Sequence, residues 1–198
     1  VNLKLLIWAV LAAAIGVPIA AAAMSPQLAW RDPIYIVAGF AGIIALGLML
    51  VQPLLIGGYL PGLTPFRLRR VHRWIGGALV MSVVIHVGGL LIASPPDAID
   101  ALLLRSPTPF SVWGVIAMWT VFAVALLAVF RRRLRLRTWR IAHLSLAAII
   151  VAGTVIHGMQ IEGAMETVSK AVLCALVLAA TIKIAVDLRV WRKRTTSL

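Results

Sequence analysis

Six apolar runs, each long enough to cross a bilayer, leave this chain little choice of fold. They lie at about Leu3–Met24, Tyr35–Leu55, Val71–Ala93, Phe110–Phe130, Trp139–Met159 and Thr167–Val190. Turn chemistry separates them: Arg31-Asp32-Pro33, the stretch Gly57–Pro65, Ser94-Pro95-Pro96-Asp97 and Ser106–Pro109. At about 20 residues per crossing, six spans consume most of the 198 residues. The sequence therefore predicts an all-α membrane protein, a six-helix bundle over residues 1–198, with no room for a second folded domain. Composition agrees, since 62% of residues are hydrophobic and soluble domains are nearer half. The first run, with Lys4 before it and the small residues Ala20–Ala23 at its end, also resembles a signal peptide. Its length favours a retained helix.

Orientation follows from charge. With the N-terminus inside, the inner segments carry Lys4; Arg67, Arg69, Arg70 and Arg73; Arg131, Arg132, Arg133, Arg135, Arg137 and Arg140; and Lys183, Arg189, Arg192, Lys193 and Arg194. That is 16 of the 19 basic residues. The outer segments keep Arg31, Arg105 and Lys170 with the acids Asp32, Asp97, Asp100, Glu162 and Glu166. Such a bias is the signature of loops retained in the cytoplasm. It predicts an integral protein of the bacterial inner membrane with both termini cytoplasmic. It also accounts for the net charge of +13 without a nucleic-acid partner, so membrane lipid and no nucleic acid is the expectation. Cys174, the one cysteine, has no partner for an internal disulfide.

Four histidines carry the chemistry. His72 and His86 lie in the third span, His143 and His157 in the fifth, and each pair is 14 residues apart. Fourteen residues rise about 21 Å and fall roughly 40° short of four whole turns. They are also two heptads, so a left-handed pair of helices keeps both positions on one seam. Spans three and five run parallel. His72 and His143 then share a depth near the inner surface, and His86 and His157 share one toward the outer surface. Two imidazoles facing across a bundle serve as the axial ligands of one haem iron. Done twice, this stacks two haem sites between helices three and five. Ionisable groups at membrane depth default to function, and a doubled, matched spacing is hard to obtain from structural histidines. Zinc would need three or four clustered donors, and neither level offers more than two histidines.

Nearby residues fit the same reading. Gly76, Gly77, Gly88, Gly89, Gly153 and Gly158 flank the histidines, where missing side chains let a flat macrocycle lie on the backbone; close helix packing explains them equally. Arg70, Arg73 and Arg140 flank the inner pair as cationic partners for propionates, with Trp139 beside them. Gln160, Lys170 and Arg105 are the outer candidates. Trp74, Trp113, Trp139 and Trp191 read as interfacial anchors. Met81, Met118, Met159 and Met165 read as packing or lipid-facing residues, and Lys183 with Asp187 as an i,i+4 pair.

Two segments, Arg69-Arg70-Val71-His72-Arg73-Trp74-Ile75-Gly76 leading to His86, and Trp139-Arg140-Ile141-Ala142-His143 leading to His157, resemble the ferric reductase-like transmembrane family. That group covers the membrane parts of ferric reductases and NADPH oxidases and the haem subunit of periplasmic methionine sulfoxide reductase. The likeness extends over about residues 35–190. It implies two bis-histidine haem b groups, held by His72 with His143 and by His86 with His157. Larger relatives continue into a flavin and nicotinamide domain, and this sequence shows no Gly-rich dinucleotide fingerprint. The expected electron donor is thus a separate cytoplasmic flavoprotein or a quinol. The sulfoxide-reductase haem subunits often lack a histidine at the position of His72, so all four favour a two-haem wire.

The sequence therefore predicts transmembrane electron transfer from a cytoplasmic-side donor to an outer-side acceptor such as ferric iron or oxygen, as an oxidoreductase component. The alternative is a haem-bearing subunit feeding a periplasmic oxidoreductase of the methionine sulfoxide reductase type. A cofactor-free transporter would leave the histidine pattern unexplained.

Overall fold

The computed structural model describes the backbone of residues 2–196 and the side chains of residues 2–187. The side chains of Trp191 and of Arg189, Arg192, Lys193 and Arg194 lie outside the described residues. Helices α1 (Leu3–Ala23), α2 (Pro33–Gly57), α3 (Pro65–Ala93), α4 (Pro95–Leu102), α5 (Pro109–Val129), α6 (Leu136–Gln160) and α7 (Thr167–Thr196) make up the chain, with no strand among the described residues. All but α4 are long and apolar enough to cross a membrane.

Four of these helices open on the same two-residue device. Asp32-Pro33, Thr64-Pro65, Ser94-Pro95 and Thr108-Pro109 each place proline in the first turn, where its missing N–H costs nothing. In two of them the preceding side chain also caps: Asp32 Oδ1 accepts from Ile34 N at 2.7 Å and Thr64 Oγ1 from Arg67 N at 3.4 Å. Residues read from sequence as loop punctuation are therefore helix starts. Helix α3 begins at Pro65, upstream of the expected Val71, and the break at Ser94–Asp97 opens a further helix, α4. The shift matters for the histidines. His72 stands seven residues into α3, and His143 seven residues into α6. Each is held about two turns inside a helix rather than at a fraying end.

Helices α2, α3, α5, α6 and α7 form a closed ring in that order, each packed on the next and α7 back on α2, with α1 outside against α2 and α7. The hairpins α2–α3 and α5–α6 are the most extensively packed pairs. Helices α3 and α6 are not neighbours; they face each other across the ring. At mid-depth the ring closes on a core of Leu46, Met49 and Leu50 from α2, Leu79 from α3, Val121 from α5, Ile150 and Val151 from α6, and Leu173, Cys174 and Val177 from α7. On the arginine-rich side, Tyr59 donates its phenol hydrogen to Asp187, which also pairs with Lys183 at 2.9 Å. The expected i,i+4 pair is present, and Tyr59 extends it into a tie between the α2–α3 loop and α7.

Helix α7 starts on Glu166. Its carboxylate oxygens accept from Val168 N and Ser169 N, each at 2.7 Å. Hydrogen bonds from the Ser169 and Val168 backbone hold its pKa below the ordinary 4.5. A depressed carboxylate contributes its stabilisation above the unfolded pKa and loses it as pH falls through the lower, folded value. The protection factors of amides in the first turn of α7 should therefore fall below about pH 4.5, and Glu166→Gln should show that lower protection already at neutral pH. Equal protection in both proteins at neutral pH would remove Glu166 as the cap.

Candidate functional site

The rings of His72 and His143 meet across the bundle, with centroids 6.3 Å apart and planes inclined by 68°. A metal–imidazole bond is about 2 Å long, so two rings sharing one metal have centroids roughly 6 Å apart. The observed spacing suits that arrangement. Trp139, one turn before His143 on α6, stacks on its ring at 5.1 Å and 15°, and the Arg131 guanidinium lies 4.8 Å over Trp139. A ladder of Arg131, Trp139, His143 and His72 thus leads inward from the arginine-rich surface. Trp139, expected from sequence as an interfacial anchor, therefore also packs against the facing histidines.

This level holds unpartnered polar atoms. His72 Nδ1, His143 Nδ1, Trp139 Nε1 and Gln52 Oε1 are buried without a hydrogen bond. Gln52, from α2, donates through Nε2 to the His72 carbonyl at 3.4 Å. Its amide lies where a side chain on Gly76 would stand, 3.3 Å from the Cβ position. Buried polar groups in a membrane bundle ordinarily find partners. Four orphans at the level of two facing imidazoles mark a place for a polar or metal-bearing group.

The other level is built differently. His86 Nδ1 lies 2.8 Å from the Ala38 carbonyl of α2, and His157 Nδ1 lies 2.8 Å from the Phe110 carbonyl of α5. A carbonyl only accepts, so in each ring Nδ1 carries the hydrogen. A neutral imidazole in that tautomer leaves Nε2 with a free lone pair, the form that binds metal. Phe110 also meets the His157 ring edge-on at 5.9 Å. Gly42 and Gly114, one turn beyond the two carbonyls, give the rings room: a Cβ would come within 3.0 Å of His86 Nδ1 at Gly42, and within 2.7 Å of His157 Nδ1 at Gly114.

The two hairpins are near repeats. His72 and His86 correspond to His143 and His157 at a shift of 71 residues, and Ala38 and Gly42 to Phe110 and Gly114 at a shift of 72.

Of the glycines singled out from sequence, Gly89 and Gly153 serve helix packing. A Cβ at Gly89 would lie 2.8 Å from Ala38 Cβ, and one at Gly153 would lie 3.1 Å from the Trp113 carbonyl. Gly77 and Gly88 face open space, about 140° and 160° around α3 from His72 and His86 respectively. Arg73 and Arg140 are both exposed. Arg140 lies on the His143 face of α6 three residues earlier, whereas Arg73, adjacent to His72, is turned about 100° away. Lys170 is buried, and its Nζ donates to the Ile161 carbonyl at 2.6 Å, closing the α6–α7 loop. Gln160 and Arg105 are exposed. Met118 packs inside, and Met81 and Met159 face outward.

The donor chemistry fits haem better than a clustered metal. Among the described residues no three histidine, cysteine, aspartate or glutamate side chains come together. Each level supplies two imidazoles, the number a porphyrin leaves open on its iron.

No curated protein and no solved structure matches the chain. The family model described as ferric reductase like transmembrane component matches residues 38–154, more than half of the chain. That stretch contains His72, His86 and His143 and the glycines Gly42 and Gly114, with His157 three residues beyond it. The chain belongs to the ferric reductase like transmembrane component family, whose domains carry electrons across membranes.

Proposed function

We propose that this chain binds two b-type haems, one held by His72 and His143 and the other by His86 and His157, and passes electrons from a cytoplasmic-side donor to an outer-side acceptor. The observation that carries the reading is the facing pair His72 and His143, repeated 14 residues onward by two histidines whose Nδ1 atoms are engaged by carbonyls. Bound haem would supply one-electron carriage, and the surrounding burial and nearby charge would tune its potential.

The chain's own residues do the rest. Carbonyls of Ala38 and Phe110 orient the rings of His86 and His157. Stacking by Trp139 orients His143. Arg140, on the same face of α6, offers a cation to a propionate, and Arg73 offers one from the next face of α3. The bias of basic residues supports a cytoplasmic location for the arginine-rich side. That side is suited to dock an acidic flavoprotein through complementary charge, and a quinol in the membrane is the other donor class. In net terms a reduced flavin or quinol gives up two electrons and releases two protons on the donor side, and two Fe(III) are reduced to two Fe(II), or two oxygen molecules to two superoxide ions, on the other.

Reduced-minus-oxidised spectroscopy of the purified protein, with haem quantification, tests this. The expected result is a low-spin bis-histidine spectrum and two haems per chain. A preparation with no haem overturns the reading. One haem per chain leaves a single level in use and favours a subunit that feeds a dedicated periplasmic oxidoreductase.

A further inference from the structure

We propose that Gly42 and Gly114 are positioning residues for His86 and His157, each opening a helix carbonyl to a facing ring and so fixing which nitrogen is left to bind. The inference rests on the haem reading for its consequence, though not for its geometry. Inside a helix, a carbonyl at position i already accepts from the N–H at i+4. Its second lone pair is free, but the side chain at i+4 stands beside it. At Ala38 and Phe110 that next residue is glycine, and the histidine Nδ1–H takes the open lone pair at 2.8 Å in both cases. A methyl group at Gly114 would force the ring to shift, lying 2.7 Å from Nδ1 and Cε1 of His157, and one at Gly42 would press on the His86 ring, 3.0 Å from its Nδ1.

The same construction thus appears twice, in hairpins related by the 71–72-residue shift. It does not appear at the other level. There Gly76 admits Gln52 to the His72 carbonyl, and the Nδ1 atoms of His72 and His143 have no protein partner. The two levels are consequently unequal. One pair has its tautomers locked by backbone; the other is oriented by Trp139 on one side only. A donated Nδ1 hydrogen bond makes the opposite nitrogen a better ligand, and losing such a partner typically costs about 10–100-fold in metal-site affinity.

The test uses Gly42→Ala and Gly114→Ala, with Gly39→Ala and Gly88→Ala as controls, since nothing lies within 4 Å of a Cβ at those positions. Two readouts are taken on purified protein in detergent. The first is the rate of haem transfer to an excess of a soluble apo-acceptor. The second is the ¹⁵N spectrum of the histidine rings in dithionite-reduced protein, where low-spin ferrous haem is diamagnetic. Gly42→Ala and Gly114→Ala should each release one of the two haems about 10–100-fold faster while the other stays at the wild-type rate. The controls should match wild type. Wild-type His86 and His157 should show Nδ1–H protons shifted downfield by the carbonyl hydrogen bond, and Gly42→Ala should lose that shift at His86. Unchanged Nδ1–H and unchanged release in Gly42→Ala would overturn the proposal, as would equal acceleration at both levels, which is general loosening. Should wild type hold no haem, the haem reading fails, and the wild-type ring spectrum decides alone: Nδ1–H at His86 and His157 supports the positioning role, and any other tautomer sinks it. That spectrum also carries the test if an alanine variant does not accumulate.

Discussion

Alanine at His72 and alanine at His143 should remove the same haem, leaving one per chain in either variant. The double variant His72→Ala/His143→Ala should lose no more than either single one, because both changes destroy one site. His86→Ala and His157→Ala should behave likewise for the second haem. Crossing the levels separates the possibilities. His72→Ala/His86→Ala breaks both sites at once and should yield colourless protein. Residues acting through a shared partner are non-additive, and independent ones add. The geometry leaves little freedom in the pairing. His72 and His143 have ring centroids 6.3 Å apart, whereas His72 and His86 are separated by about 21 Å of helix rise. One iron cannot be shared along α3. Haem retained by the cross-level double variant, with a bis-histidine spectrum, would place the ligands elsewhere. Measuring haem content per folded chain, with size-exclusion chromatography to verify folding, distinguishes these outcomes.

The histidine pattern was legible because membranes make polar residues expensive. A hydrocarbon environment penalises every unpaired polar group, so the recurrence of His72, His86, His143 and His157 stood out against an apolar background. The six spans were legible for the same reason. The surroundings of the histidines were harder to read. Gly42 and Gly114 lie on α2 and α5, and their relation to His86 and His157 depends on how far each hairpin is rotated, which spacing along one helix does not encode. The glycines nearest in sequence, such as Gly89 and Gly153, serve packing instead. Trp139 satisfied the description of an interfacial anchor, and its stacking on His143 is a matter of one side chain's direction. From sequence the proline-containing breaks carry turn chemistry, because proline ends helices as readily as it starts them. The side chain before each proline settles which, and here Asp32 and Thr64 cap helices α2 and α3.

Between the two levels the bundle should be intolerant of charge, and Ile150→Asp should be its most damaging single change. Leu79 stands seven residues from both His72 and His86, and Ile150 seven residues from both His143 and His157. Both are 8% exposed and belong to one buried cluster drawn from five helices. The histidines above and below have a polar or ring contact: carbonyls for His86 and His157, the Trp139 ring for His143. The residues clustered with position 150 are Leu46, Met49, Leu50, Leu79, Val121, Val151, Leu173, Cys174 and Val177, which offer an aspartate no cation. A charge at the centre of a membrane helix costs about 2.5–3.5 kcal/mol on insertion scales. At 1.4 kcal/mol per tenfold, that is on the order of a hundredfold in the folded-to-unfolded ratio. Ile150→Val, which removes one methylene and adds no charge, should cost only about 0.5–1.5 kcal/mol. Unfolding by titration with a denaturing detergent, followed by circular dichroism, compares the three proteins directly. An Ile150→Asp protein as stable as wild type would mean that water or a cation reaches position 150. The dry layer isolating one pair of histidines from the other would then not exist.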